Sequence, residues 1–268
     1  MKSRRRHFDT YVFKDGKHAY LRNSGTRDEV LYVPLDSKSR EALEGVDFLR
    51  GYHGILVHDH EVVLYHFGHG EHGECLVHVM RYCRKNAKDT GNGWTEDLAR
   101  LLCESNDRKA EIISAGGDST PEAEYARVSK RYDEVVAEGW RQNKETRHRW
   151  ARRREATFLR RLAKYKEEHL LFLRDFRVEW SNNISERDLR SAKRHTKVTG
   201  GFREDRGMEA YATTLSVVRT MQRRGMRVWD GIRWLLENEG NVFEADGLGA
   251  AGPPATLTTN DPCATVMP

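Results

Sequence analysis

Two acidic residues in this chain stand where a carboxylate can do metal chemistry. Asp59 lies in GILVHDHE, directly after Gly54–His58, a short continuous apolar run of the kind a buried strand shows. A carboxylate at the carboxyl end of such a strand can hold Mg²⁺ through one or two oxygens and leave room for water and phosphate. Glu186 lies in VEWSNNISERDLR, residues 178–190, where Ser181, Asn182 and Asn183 are helix-capping types. It therefore falls in a first helical turn, where the helix dipole favours the ionised acid. Each has a plainer role: Asp59 as a helix cap, Glu186 as an exposed acid paired with Arg190 four residues on. Asp9 opens the first expected strand, two residues before Tyr11 and on the same face. Most such aspartates are solvated strand ends, and Asp15 is explained by a hairpin turn.

Cations cluster near these acids in sequence. Arg187, Arg190, Lys193, Arg194 and Lys197 follow Glu186 and suit a phosphate backbone, as does Arg203 further on. Overall the 268 residues carry 46 Lys and Arg against 41 acids, a net charge of +5, and a pI near 9.0. The excess is uneven. Between Arg141 and Arg174 twelve Lys and Arg face four Glu, a local +8. Arg152, Arg153, Arg154, Arg160 and Arg161 could merely solvate a helix, but so one-sided a run favours a polyanionic partner, nucleic acid before membrane.

Other classes recede. A mean hydropathy of −0.79 and the lack of an apolar run near 18 residues exclude a membrane-spanning helix. The basic start, MKSRRRHFDTYVF, has no apolar core or cleavage site of an export signal. Cys75, Cys83, Cys103 and Cys263 show no disulfide-like spacing, so a reducing cytoplasm is expected. The histidines from His53 through His58, His60, His66, His69 and His72 to His78 include one Cys75-x-x-His78 half-site. Zinc needs four ligands, so scattered histidines with Cys75 and His78 packed in a helix are favoured.

The elements that must position the acids follow a mixed pattern. Thr10–Phe13 and Lys17–Arg22 flank Asp15-Gly16, a hairpin signal. Glu29–Val33 reads as a third strand, Ser37–Glu44 as a helix and Gly54–His58 as a buried strand. From Trp94 to Phe176 helices dominate, with a loop at Gly116–Pro121 and a start at Glu122. Arg141–Asp175 could form one long basic helix. A helix after Asn183, a loop at Gly200-Gly201 and helix from Met208 to Glu237 follow. The tail from Gly247 has a disordered composition.

In order, GKHAYLRN (16–23), GILVHDHEVVLYHFG (54–68), HGECLVHVMRYCRKN (72–86), HLLFLRDFRVEWSNNISERDLR (169–190) and KVTGGFREDRGMEAYATTLSVVRTMQRRG (197–225) resemble the insertion sequence 66 transposases of the DDE type. The resemblance implies an α/β, ribonuclease-H-like mixed sheet with flanking helices and a mainly helical insertion. On that pattern residues 1–90 begin the catalytic core, 91–177 form the basic insertion, 178–240 complete the core and 241–268 are a disordered tail. It implies that Asp59 is the second catalytic Asp and Glu186 the catalytic Glu, with Asp9, one residue out of step with the family's register, nearest to the first. Three carboxylates of this kind hold two Mg²⁺ or Mn²⁺ ions roughly 3.5–4 Å apart. The expected function is metal-dependent strand cleavage and transfer at the ends of a bacterial insertion sequence, by a homo-oligomer on double-stranded DNA, transposon ends and target alike. The expected location is the cytoplasm, with the nucleoid. The family's upstream DNA-binding region has no counterpart before Asp9, so a truncated copy is expected. A non-catalytic DNA-binding remnant, or an inhibitor of a full-length transposase, is the alternative, and a zinc protein a weaker third.

Overall fold

The computed structural model describes residues 5–15, 17–67, 70–202 and 204–237. In chain order the strands and helices begin with β1 (Arg5–Asp15), β2 (Lys17–Gly25), β3 (Val30–Leu35), α1 (Arg40–Glu44), α2 (Asp47–Arg50) and β4 (Ile55–His58). A 3-10 turn over Val62–His66 leads to β5 (His72–Glu74), α3 (Leu76–Thr90), α4 (Trp94–Ser114), α5 (Glu122–Glu145), α6 (Arg149–Lys164) and α7 (Lys166–Arg174). The chain then forms α8 (Asn183–Asp188), α9 (Arg190–Thr199), α10 (Asp205–Arg223) and α11 (Val228–Glu237). Mixed α/β structure is as expected, and helix predominates. The expected disordered tail and Cys263 lie outside the described residues. Two compact units emerge: one runs up to Glu71 and resumes at Asn182, and the other is His72–Ser181.

In the first unit the strand order is β3-β2-β1-β4. The β1–β2 hairpin closes with Asp15 opposite Lys17, β3 joins β2 antiparallel, and β4 runs parallel to β1. Alternation along β3 assigns the two faces of the sheet. Val30 and Tyr32 pack with Leu21, Leu189, Ala192, Met208 and Ala212 on one side. Val33 and Leu35 pack on the other, against a cluster of Leu43, Val46, Leu49, Leu56, Leu64 and Phe67. With both faces covered, β4 is buried at every position. That is why its sequence is an unbroken apolar run.

The second unit gathers α3 to α7. Gly139 of α5 permits a close approach there: a Cβ at this position would lie 2.6 Å from Leu159 Cδ2 and 2.8 Å from the Trp94 ring. One long helix over Arg141–Asp175 does not form. The chain leaves helix at Thr146 (φ −64°, ψ 114°), and α6 restarts on His148, whose ring accepts a hydrogen bond from the Ala151 amide. A second break falls at Tyr165, with φ −112° and ψ 33°. Neither break carries Gly or Pro, so neither shows in the local sequence. Each is set by packing, which overrides propensity. Among the described residues no helix is long and apolar enough to cross a membrane.

Candidate active site

Asp59 follows the last residue of β4, as expected, and a salt bridge fixes the turn that carries it. Arg22 of β2, 1 % exposed, grips Glu61 with two bonds of 2.6 and 2.8 Å. The Glu61 amide in turn donates to the Asp59 carbonyl at 2.5 Å. Beneath Asp59, fully buried His58 meets Tyr65 edge-on at 5.0 Å between ring centres. A bidentate, mostly buried Arg–carboxylate pair holds geometry far better than an exposed one.

Glu186 is positioned by its own helix, which is anchored from below. Asn182 caps α8 through its position in the chain, with no side-chain capping bond. On the buried side of α8, Asn23 Nδ2 donates to the Ser185 carbonyl at 3.1 Å and lies 3.5 Å from Asp188 Oδ2. Tyr32 donates its hydroxyl to the Asp188 carbonyl at 3.1 Å, and Arg223 of α10 pairs with the Asp188 carboxylate. Burial pushes the Asp188 carboxyl above the usual carboxylate range, against the opposing pull of Arg223 and Arg219. Burial also pushes the Tyr32 phenol well up. With Ser185 and Asp188 turned inward, Glu186 is left half-buried.

The two acids meet. A carboxylate oxygen of Asp59 and one of Glu186 lie within 4.8 Å of one another. Asp9 stands on β1 opposite Asn23, and the β1–β4 register pairs Phe8 with His58. Extending that register by one residue sets Asp9 abreast of Asp59, at the same end of the sheet. Carboxylate oxygens are hard donors, the kind that suits Mg²⁺ or Mn²⁺. Two like charges at this separation also repel, and a divalent cation relieves that cost.

A cationic cavity of about 460 Å³ is lined by Arg187, the residue after Glu186, and by Arg190, Lys193, Arg194, Lys197 and Arg219. The first five were expected from sequence: Arg187 comes from α8, and Arg190, Lys193, Arg194 and Lys197 from α9, where their spacing keeps them on adjoining faces. Arg219 was not expected. It comes from α10 and is tied to α9 by a 2.5 Å bond to Ser191 Oγ and braced by Gln222 at 2.8 Å. His195 of α9 stacks on Phe202 at 4.6 Å and meets Tyr211 at 4.8 Å, which fixes α9 against α10. The cations Arg219 and Arg223 four residues apart on α10 were the available signal, and each reaches back to a different helix. Arg203 lies outside the described residues. Arg152, Arg153 and Arg160 are exposed on α6 of the helical unit. Cys75 and Cys83 are buried.

A sequence profile of the transposase IS66 family matches residues 12–210. The chain belongs to that family. The matched span contains Asp59, Glu186 and all of the cavity cations except Arg219, while Asp9 precedes it. No curated protein and no solved structure matches the chain. A member of this family has a transposase function, for which DNA is the partner.

Proposed function

We propose that this chain is a divalent-metal-dependent DNA transposase that cleaves and transfers strands at the ends of its insertion sequence. The observation that carries the reading is the approach of Asp59 and Glu186 to within 4.8 Å at one end of the central sheet. The order β3-β2-β1-β4, antiparallel except for the β1–β4 pair, supports a ribonuclease-H-like core around them. Asp59, Glu186 and, by register, Asp9 would hold the cations. Bound Mg²⁺ or Mn²⁺ would neutralise charge building on the transferring phosphate and acidify the attacking hydroxyl.

The chain's own residues account for the rest. Arg187, Arg190, Lys193, Arg194, Lys197 and Arg219 offer six positive charges to successive phosphates, and the first of them directly follows Glu186 in α8. The clamp of Asn23, Tyr32 and Arg223 on α8 keeps Glu186 from swinging out. The helical unit, with its basic α6, is an insertion between the second and third acids and adds further DNA contacts.

Strand cleavage on labelled duplexes that carry the element's ends, with Mg²⁺ or Mn²⁺, tests this. The expected result is metal-dependent nicking that is abolished in Glu186→Gln and in Asp59→Asn, with DNA binding retained. Tight, salt-sensitive binding that ignores EDTA, with no cleavage under any metal, would instead establish a DNA-binding remnant that does no chemistry.

A further inference from the structure

Trp150 is 71 % exposed, in the first turn of α6. An indole left in water forgoes the gain of burying a large apolar ring, so a surface tryptophan asks for a partner. Its surroundings say which. Arg153 and Arg154, three and four residues on, share its face of the helix, and Arg149 and Arg152 flank it. All four arginines are exposed, and no acid occurs between Arg147 and Arg154. Among the described residues Arg149, Arg152 and Arg153 make no ion pair. Arg154 has only Asp89 at 3.5 Å, with both side chains partly exposed.

The acid that follows, Glu155, offers this face nothing. It is fully buried on the opposite side of α6 and accepts hydrogen bonds from Trp94, Asn86, Asn92 and Asn143. The helix that carries the aromatic is held in place. His148 caps the helix, Ala151 and Glu155 seat it in the unit's core, and Asn143 Nδ2 donates to the Arg152 carbonyl at 2.9 Å.

We propose that this face of α6 binds unpaired DNA, with a base stacked on Trp150 and the flanking phosphates held by Arg149, Arg152 and Arg153. A flat ring among cations matches the two recurrent parts of a single-strand site, a stacking platform and a charged track. Paired bases cannot reach the indole, so the arginines serve duplex and single strand alike, whereas Trp150 serves the single strand. The inference rests on the reading of this protein as DNA-binding, and adds a strand-state preference located on the helical unit.

The test uses the full chain, with fluorescence anisotropy on an oligothymidylate of about 12 nucleotides and on a blunt duplex. Trp150→Ala is expected to weaken single-strand binding about tenfold and to leave duplex binding within about twofold. Trp150→Phe should keep most of the affinity. The double variant Arg152→Ala, Arg153→Ala should weaken both, and lower the salt slope for the single strand by about 1.4. Circular dichroism melting of Trp150→Ala should match the wild type, since the side chain is exposed. Unchanged single-strand affinity in Trp150→Ala with duplex binding intact overturns the proposal alone, as does an equal loss on both ligands. Self-association that disappears in Trp150→Ala, with DNA binding unaltered, would assign the face to a second copy of the chain and also overturns it. A wild-type protein that binds neither ligand overturns the DNA-binding reading as well.

Discussion

Each unit of the molecule holds acids away from bulk water, and it treats them in opposite ways. In the helical unit Glu155 is fully buried and saturated with donors. Trp94 Nε1 approaches Oε1 at 2.7 Å, Asn86 and Asn92 at 2.8 Å, and Asn143 approaches Oε2 at 2.9 Å. Burial pushes its carboxyl up, but these hydrogen bonds outweigh burial and hold it below the usual range. In the sheet unit Asp59 and Glu186 are half-buried and each is brought close to a second carboxylate, and the residue after Glu186 belongs to a cavity lined by cations. The first arrangement minimises the energy of one charge within the protein. The second raises the energy of two, and a divalent cation and a phosphate would lower it. A buried acid is thus structural when donors converge on it, and a candidate for chemistry when another acid does.

The same isosteric change should therefore have opposite consequences at the two places. The largest effect is on chemistry. Glu186→Gln keeps shape but removes the charge, and should cut metal-dependent strand cleavage roughly a thousandfold, the several kcal/mol a metal ligand contributes. Initial rates on an end-labelled duplex measure it. Cleavage within about tenfold of the wild type would break the comparison, because Glu186 would then be an ordinary helix acid.

Next in size is the stability of the helical unit. Glu155→Gln replaces an acceptor of both oxygens with an amide whose NH₂ faces Asn143 and Thr146, and should destabilise by about 3 kcal/mol, read from urea denaturation. The pH dependence has a fixed sign. Because the folded carboxyl titrates below its ordinary value of 4.5, its contribution is fully present above pH 4.5 and is lost as pH falls through the folded value. The wild type should lose stability on acidification in that window, and Glu155→Gln should show a flatter profile there. Parallel profiles would mean that other acids carry the effect.

Relief of repulsion in the sheet unit is smaller and of the opposite sign. Without metal, Glu186→Gln or Asp59→Asn should stabilise the protein by about 1 kcal/mol, since two charges this close repel by at least that much even where water screens them. Added Mn²⁺ should raise the melting temperature of the wild type and do less for either variant. Destabilisation of both variants in EDTA would show that the acids are held as structural partners.

The contrast explains what the sequence could and could not show. Asp59 was legible because a strand covered on both faces is an unbroken apolar run, and the residue after it must sit at its mouth. Glu186 was legible as a first-turn acid after capping residues. Their approach was expected only from the family resemblance and not from the local residues, since it depends on the β1–β4 pairing and on the Asn23, Tyr32 and Arg223 clamp beneath α8. Glu155 was illegible for the complementary reason. Within RRRE it has the local pattern of a solvated helix acid, and only the interruption of the expected long helix at Thr146 turns it inward. That break has no Gly or Pro to announce it. The α3 to α7 packing and the α9–α10 cavity are likewise products of distant partners, which is how Arg219 escaped notice among the residues of α10.

Arg219 provides the finest test of the comparison, because it belongs to the sheet unit's cavity without touching either acid. If the cavity holds phosphate, Arg219→Ala should weaken duplex binding only a few-fold, and should lower the slope of log affinity against log salt by about 0.9, the signature of one lost phosphate contact. It should leave Mn²⁺ binding in place, since the acids are unaltered. The bond to Ser191 makes a discriminating control. Ser191→Ala frees the guanidinium without removing its charge, so affinity should fall slightly while the salt slope holds. Equal slopes for Arg219→Ala and the wild type would mean that Arg219 only ties α10 to α9. The cavity's DNA contacts would then rest on the cations of α8 and α9 alone.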